Sequence, residues 1–121
     1  MDAKRVLVVD DDVDTLEIAA ALLRDEGYCV QVAASGEEAL AICQDGGDFD
    51  LVLTDLNMAE LDGIRLANVI SSREKPPTVI LMTGSKITCE EAGPNIFAIL
   101  RKPFLEGDLL RVMQKVVQKP S

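Results

Sequence analysis

Histidine and tryptophan are both missing from this sequence. Without an imidazole the chain holds no Ser-His-Asp or Cys-His catalytic pair, no His-ligated zinc, and no histidine of its own to take a phosphoryl group. Positive charge is scarce as well: 12 Lys and Arg stand against 21 Asp and Glu, a formal net charge of −9. Such a surface lacks the positive field that displaces counterions from phosphate, so direct binding to nucleic acid or to an anionic membrane is not expected. Cysteine is limited to Cys29, Cys43 and Cys89, odd in number, far apart and without C-x-x-C spacing. They read as small buried hydrophobes in a reducing cytosol. No apolar run approaches the roughly 18 residues of a membrane span, and the first residues run straight into a short apolar stretch without the outline of a signal peptide. No membrane insertion is expected, and the chain reads as cytoplasmic.

What is present suits one domain over residues 1–121. A chain of this length buries roughly two-thirds of its unfolded surface, and 48% hydrophobic residues supply the core without help from a metal or disulfide. Val6-Leu7-Val8-Val9 is a continuous β-branched and Leu run, the pattern of a strand covered on both faces. It stops at Asp10-Asp11-Asp12. Helical spacing of Leu16, Ala19, Ala20 and Leu23 then predicts a helix over Val13–Glu26, ended by Gly27. Tyr28–Ala33 alternates like a strand near a sheet edge, and Ser35-Gly36-Glu37-Glu38 reads as a capping box for a helix to about Gln44. Leu51–Thr54 is the third strand, ending at Asp55, followed by a helix over about Ile64–Ser72 stopped by Pro76-Pro77. Thr78–Met82 is the fourth strand, ending at Thr83-Gly84. Between Ser85 and Asn95 only one helical turn, around Thr88–Ala92, is predicted. Ile96–Leu100 is the fifth strand, before Arg101-Lys102-Pro103. A last helix over about Leu105–Gln118 carries Leu109, Val112, Met113 and Val116 on one stripe. This alternation is (βα)5, an α/β doubly wound parallel sheet with right-handed crossovers.

In open sheets of this kind, ligands bind beyond the carboxyl ends of the strands. Strand one ends in Asp10 and Asp11, strand three in Asp55, strand four in Thr83 and strand five in Lys102; strand two closes on Ala33-Ala34 and brings nothing polar. Chance would not sort charge onto one end of the strands while keeping it out of their interiors. Three carboxylates converging within ~4–6 Å repel by a few kcal/mol per pair at an effective dielectric near 20, so the site favours a cation. Oxygen-only ligands point to Mg2+ before Ca2+, with water completing the shell. Lys102 and Thr83 add a point positive charge and a hydroxyl donor suited to phosphoryl oxygens. A carboxylate flanked by Mg2+ and a lysine can form an acyl phosphate, and Asp55, alone at the end of the central strand, is the best-placed nucleophile.

These residues, taken together, resemble the receiver domain of two-component response regulators. The resemblance runs from Val6–Asp11 through Asp55-Leu56-Asn57-Met58 and Asp62-Gly63 to Met82-Thr83-Gly84 and Lys102-Pro103-Phe104. It implies a flavodoxin-like sheet in strand order 2-1-3-4-5 and a phosphoacceptor signalling switch. Asp55 would accept a phosphoryl group from the phosphohistidine of a sensor histidine kinase or histidine phosphotransfer protein. Asp10, Asp11, Asp55 and the main-chain carbonyl of Asn57 would hold Mg2+. Thr83 and Lys102 would contact the phosphoryl oxygens, and Lys102-Pro103 would be a cis peptide. The missing histidine fits, since the donor belongs to the partner. A receiver of this length implies signalling to a downstream effector protein or to a neighbouring domain, and it leaves room for a weak homodimer.

Several residues depart from the family pattern. Ala59 stands where the family usually has proline, which loosens that loop. Ile99 occupies a position that many members fill with a switching aromatic. The interval from Thr83 to Lys102 is short and contains Gly93-Pro94, which predicts a short, mobile or absent fourth helix and an altered readout and dimer face. This pattern is similar to the C-terminal receivers of hybrid histidine kinases and to stand-alone receivers with a degenerate fourth helix. Asn57, Glu60 and Ser85 are candidates for tuning phosphoryl lifetime by admitting or blocking water.

Other readings compete less well. An EF-hand over Asp10, Asp12 and Asp14 fails because its sixth position is Thr15 and its twelfth Ala21. A haloacid-dehalogenase-type phosphohydrolase needs a D-x-D-x-T run, and here the fifth residue is Asp14. Asp12 and Asp14 read as a solvated helix N-terminus. The alternative that remains is a receiver-like interaction module that takes no phosphate.

Overall fold

The uninterrupted run Val6–Val9 forms the interior of a sheet. In the computed structural model, which describes residues 4–45, 48–58 and 61–117, all four of these side chains are wholly buried. The elements alternate as β1 (Arg5–Val9), α1 (Val13–Asp25), β2 (Cys29–Ala33), α2 (Gly36–Gln44) and β3 (Leu51–Asp55). They continue as α3 (Gly63–Ile70), β4 (Thr78–Thr83), α4 (Cys89–Ala92), β5 (Ala98–Arg101) and α5 (Glu106–Val117). All strand pairs are parallel, in the order β2-β1-β3-β4-β5.

Successive strand residues face opposite sides, and this divides the core into two layers. Leu7, Val9, Val52, Val79 and Leu81 pack with Ala39 and Cys43 of α2, with Leu66, Ala67 and Ile70 of α3, and with Ala92 of α4. Val6, Val8, Leu53, Ile80 and Met82 face the other way, onto Leu16, Ala19 and Leu23 of α1 and Leu109, Val112 and Met113 of α5. Each fully buried Leu or Val contributes roughly 1.5–3 kcal/mol relative to exposure. An unbroken apolar run therefore specifies a strand that both layers cover.

Helix ends follow local chemistry. Asp12 caps α1, its carboxylate accepting from the Asp14 N–H and the Thr15 hydroxyl, as expected of a solvated N-terminus. Gly27, at φ 93°, turns the chain out of α1 while its N–H and that of Tyr28 close the Arg24 and Leu23 carbonyls. Ser35 accepts from Glu38 N–H as predicted, but the Glu38 carboxylate reaches back to Ala34 N–H at 3.2 Å, so the box closes one residue early. The third helix ends at Ile70 rather than near Ser72. The Ser72 hydroxyl takes the Val69 carbonyl at 2.8 Å, and the next amides bond three residues back, which unwinds the helix well before Pro76.

The fifth strand starts at Ala98, two residues later than predicted, because Ile96 N–H turns back onto the Gly93 carbonyl. The single turn predicted before it is α4, four residues opened by a capping box between Thr88 and Glu91 and closed by Gly93 at φ 101°. β2 is an edge strand, as its alternation suggested. The cysteines need a correction: Cys43 is buried, whereas Cys29 and Cys89 are exposed. Cys29 begins an edge strand whose first residues remain largely uncovered, and Cys89 opens a helix too short to bury more than Ala92. Ala59, Glu60, Gly46-Gly47 and the last predicted helical residue, Gln118, lie outside the described residues. No described helix is long and apolar enough to cross a membrane.

Candidate functional site

The strand order reverses between β1 and β3: the chain leaves β1 for β2 on one side, then returns to place β3 on the other. Crevices that take ligands open at such switch points. Register decides what lines this one. Val9 pairs with Thr54, Asp55 with Met82, and Thr83 with Arg101. Asp10 and Asp55 are therefore level, with Thr83 one residue and Lys102 two residues further along the neighbouring strands, all at the end of the sheet that the sequence predicted.

Asp10, Asp11 and Asp55 each present a carboxylate oxygen, and these three atoms lie within 4.8 Å of one another. Asp10 and Asp55 are buried and Asp11 is exposed, so the cluster opens to solvent on the Asp11 side. The donor set is oxygen only, which fits a hard divalent cation that retains part of its water shell.

Lys102 bridges the two buried carboxylates. Its Nζ is 2.7 Å from Asp10 Oδ2 and 3.3 Å from Asp55 Oδ1. The other oxygen of Asp10 accepts from Asp12 N–H at 2.9 Å, and the Asp10 N–H donates to the Ala33 carbonyl at 3.2 Å. Asp10 is thereby satisfied on every side despite having no exposed surface. The Lys102–Pro103 peptide is cis.

Burial pushes the Asp55 carboxyl above the ordinary carboxylate range, and the like charge of Asp10 pushes it further. Lys102 and the main-chain N–H of Asn57 pull the other way without cancelling the rise. For Lys102, burial alone would lower the ammonium pKa. The bond to Asp10, with the negative charges of Asp10 and Asp55, outweighs burial and raises it.

Thr83 is fully buried and its Oγ accepts the Ser85 N–H at 2.9 Å. Asn57 is exposed two residues beyond Asp55. Ile99 is half-buried against the layer formed with α2, α3 and α4.

Gly63, Asp62 and Arg101 shape the site in ways that the sequence reading did not assign to them. Gly63 opens α3 so close to β3 that a Cβ there would lie 2.4 Å from the Asp55 carbonyl oxygen and 2.8 Å from a Leu81 methyl. Asp62, whose carboxylate caps α3 on the Arg65 N–H at 2.8 Å, sets that approach. The Asp62-Gly63 pair was visible, but the need for a missing side chain was not. Arg101, beside Lys102, sends its guanidinium to the carbonyls of Ser85 and Ile87 in the loop after Thr83.

Known proteins are similar to this chain in sequence and in fold. The chain is 46% identical over 78 residues to the transcriptional regulatory protein ZraR of Salmonella typhimurium, covering 64% of this chain and 18% of that protein. It is 32% identical over 130 residues to hybrid signal transduction histidine kinase B of Dictyostelium discoideum, covering 93% of this chain and 6% of that one. It thus spans less than a fifth of the length of either relative. Among solved structures, the response regulator protein TrrA of Thermotoga maritima, in complex with Mg2+-BeF, superposes with a TM-score of 0.83 at 31% identity. That likeness covers 93% of this chain and 98% of TrrA. Residues 6–114 match the response regulator receiver domain family. A match that runs from the second residue of β1 into α5 takes in every strand and both ends of the site, and this chain belongs to the response regulator receiver domain family.

Proposed function

We propose that this chain, read as one receiver domain over residues 1–121, is a phosphoacceptor switch whose acceptor is Asp55. The observation that carries the reading is the position of the Asp55 carboxylate, buried with the Asp10 and Asp11 carboxylates within 4.8 Å and 3.3 Å from the Lys102 ammonium that also binds Asp10. Asp10, Asp11, Asp55 and the main-chain carbonyl of Asn57 would hold Mg2+. When bound, the ion neutralises charge on the phosphoryl oxygens and on the attacking carboxylate.

The Asp55 carboxylate attacks the phosphorus of a phosphohistidine on a sensor kinase or a histidine phosphotransfer protein. An O–P bond forms, the N–P bond breaks, and the imidazole leaves with the electron pair. Lys102 moves its ammonium from the Asp10–Asp55 pair toward the transferred group, and Thr83 donates its hydroxyl to another phosphoryl oxygen. The rearrangement at the ends of β4 and β5 is the signal, read by an effector protein or domain. The protein is not a turnover enzyme; it assists its own phosphorylation and dephosphorylation, and it works in the cytoplasm.

Incubation with Mg2+ and a small phosphodonor such as acetyl phosphate, read by intact mass, tests this reading. The expected result is one phosphoryl adduct on the wild type that disappears in Asp55→Ala. An adduct undiminished in Asp55→Ala overturns the assignment of the acceptor. If neither small donors nor a cognate kinase yields an adduct on the wild type, the chain is an interaction module instead.

A further inference from the structure

We propose that Arg101 is a positioning residue that fixes the hydroxyl of Thr83 for the phosphoryl group; this rests on the phosphoacceptor reading above. Arg101 is the cross-strand partner of Thr83 in the β4–β5 pair, and the next residue, Lys102, donates its N–H to the Thr83 carbonyl at 3.0 Å. The backbone of β5 is therefore tied to Thr83 itself. The Arg101 side chain makes a second tie, to the loop that follows. Its two terminal nitrogens donate to separate carbonyls, those of Ser85 and Ile87.

The loop so held contains the amide on which Thr83 depends. Ser85 N–H donates to Thr83 Oγ at 2.9 Å. With one lone pair occupied by a fixed donor, the Thr83 hydroxyl keeps its proton for another acceptor, and its side-chain rotamer is selected in advance. The order of action is Arg101 guanidinium, Ser85 carbonyl, Ser85 amide, Thr83 hydroxyl. A planar fork can bridge two carbonyls at once, whereas a lysine ammonium at the same place is a single point donor. Nothing else among the described residues is seen to hold the Ser85 and Ile87 carbonyls. The single-turn helix that follows, α4, starts only at Cys89.

The test uses beryllofluoride with Mg2+ as a phosphoryl mimic, its affinity measured by titration on the wild type, Arg101→Ala, Arg101→Lys, Thr83→Ala and the double variant. Arg101→Ala is expected to weaken beryllofluoride binding by roughly three- to tenfold, the scale of a partly solvated charge-assisted contact, with Mg2+ affinity unchanged. Arg101→Lys recovers only part of the loss. In the Thr83→Ala background, Arg101→Ala costs nothing further, because its effect passes through that hydroxyl. Amide exchange gives a readout independent of the mimic: the Ser85 N–H exchanges faster in Arg101→Ala, while the amides of β4 exchange as in the wild type.

Equal losses with and without Thr83, or no loss at all, overturn the proposal while leaving the phosphoacceptor reading intact. If the wild type neither binds beryllofluoride nor accepts phosphate, the phosphoacceptor reading itself fails and this inference goes with it.

Discussion

Lys102 Nζ lies nearer to Asp10 Oδ2, at 2.7 Å, than to Asp55 Oδ1, at 3.3 Å. The lysine thus holds the wholly buried acid most tightly and leaves Asp55 the less neutralised of the pair. In Lys102→Met both acids lose their counter-charge. The metal-free protein is expected to lose about 1–3 kcal/mol, a buried-pair cost discounted because the lysine side chain is 25% exposed. Mg2+ binding tightens at the same time, since the ammonium no longer competes for the carboxylates. Urea denaturation with and without Mg2+ measures both effects; looser Mg2+ binding in Lys102→Met would contradict the competition.

The raised Asp55 pKa makes a pH prediction. An acid whose folded pKa lies above its unfolded value contributes stability below the unfolded value, about 4 for an ordinary Asp. That contribution is lost as pH rises through the folded pKa. Near neutral pH and without metal, ionised Asp55 therefore weighs against the fold, because burial and the Asp10 charge both disfavour the anion. Asp55→Asn is expected to raise the melting temperature at pH 7 without Mg2+, and the advantage should shrink toward pH 4. An advantage that grew on acidification would reverse the assigned sign.

At the alkaline end Lys102 works in the other sense. Its raised folded pKa means that its contribution is complete below the unfolded value of about 10.4 and is lost as pH rises beyond that, through the folded one. Alkaline unfolding curves of the wild type and Lys102→Met should converge there.

Asp10 and Asp11 separate structure from metal binding. Asp11 is exposed and has no hydrogen bond or ion pair among those described. Asp11→Asn should therefore leave metal-free stability within ~0.5 kcal/mol while removing most of the Mg2+-induced rise in melting temperature. For the wild type, that rise corresponds to about 2.7 kcal/mol at a hundredfold excess over Kd. Asp10→Asn should lose both, because Lys102 and Asp12 N–H bind the carboxylate that it replaces. Thermal melts across a Mg2+ titration distinguish the two variants.

Gly63→Ala tests the close approach of α3 to β3. The new methyl meets the Asp55 carbonyl oxygen, a backbone atom that cannot yield cheaply. A loss of roughly 1–3 kcal/mol is expected from overpacking, together with weaker Mg2+ binding as the end of β3 shifts. Unchanged stability would mean that the helix moves aside freely.

The fold was legible because burial acts locally on sequence. Val6–Val9 and Leu51–Thr54 could only be strands covered on both faces, and the charges that stop such runs must fall at their ends. From this, Asp10, Asp11, Asp55, Thr83 and Lys102 could be assigned to one edge of the sheet before any distance was known. Cap and turn chemistry was legible too, at Ser35 and Gly27.

What remained hidden depends on contacts between residues distant in sequence. That Lys102 pairs first with Asp10, 92 positions away, follows from how β1, β3 and β5 are stacked and staggered, which no local pattern encodes. Gly63 is needed because α3 and β3 meet there, and Arg101 matters because a loop 14 to 16 residues earlier passes under its side chain. Cys29 and Cys89 look as apolar in sequence as Cys43, yet an edge strand and a one-turn helix leave them in solvent. Composition and periodicity determined which residues lie in the core and which lie at the strand ends. The tertiary structure decided which of those end residues touch, because charge pairing and close packing depend on distances across the chain that are set only when the layers come together.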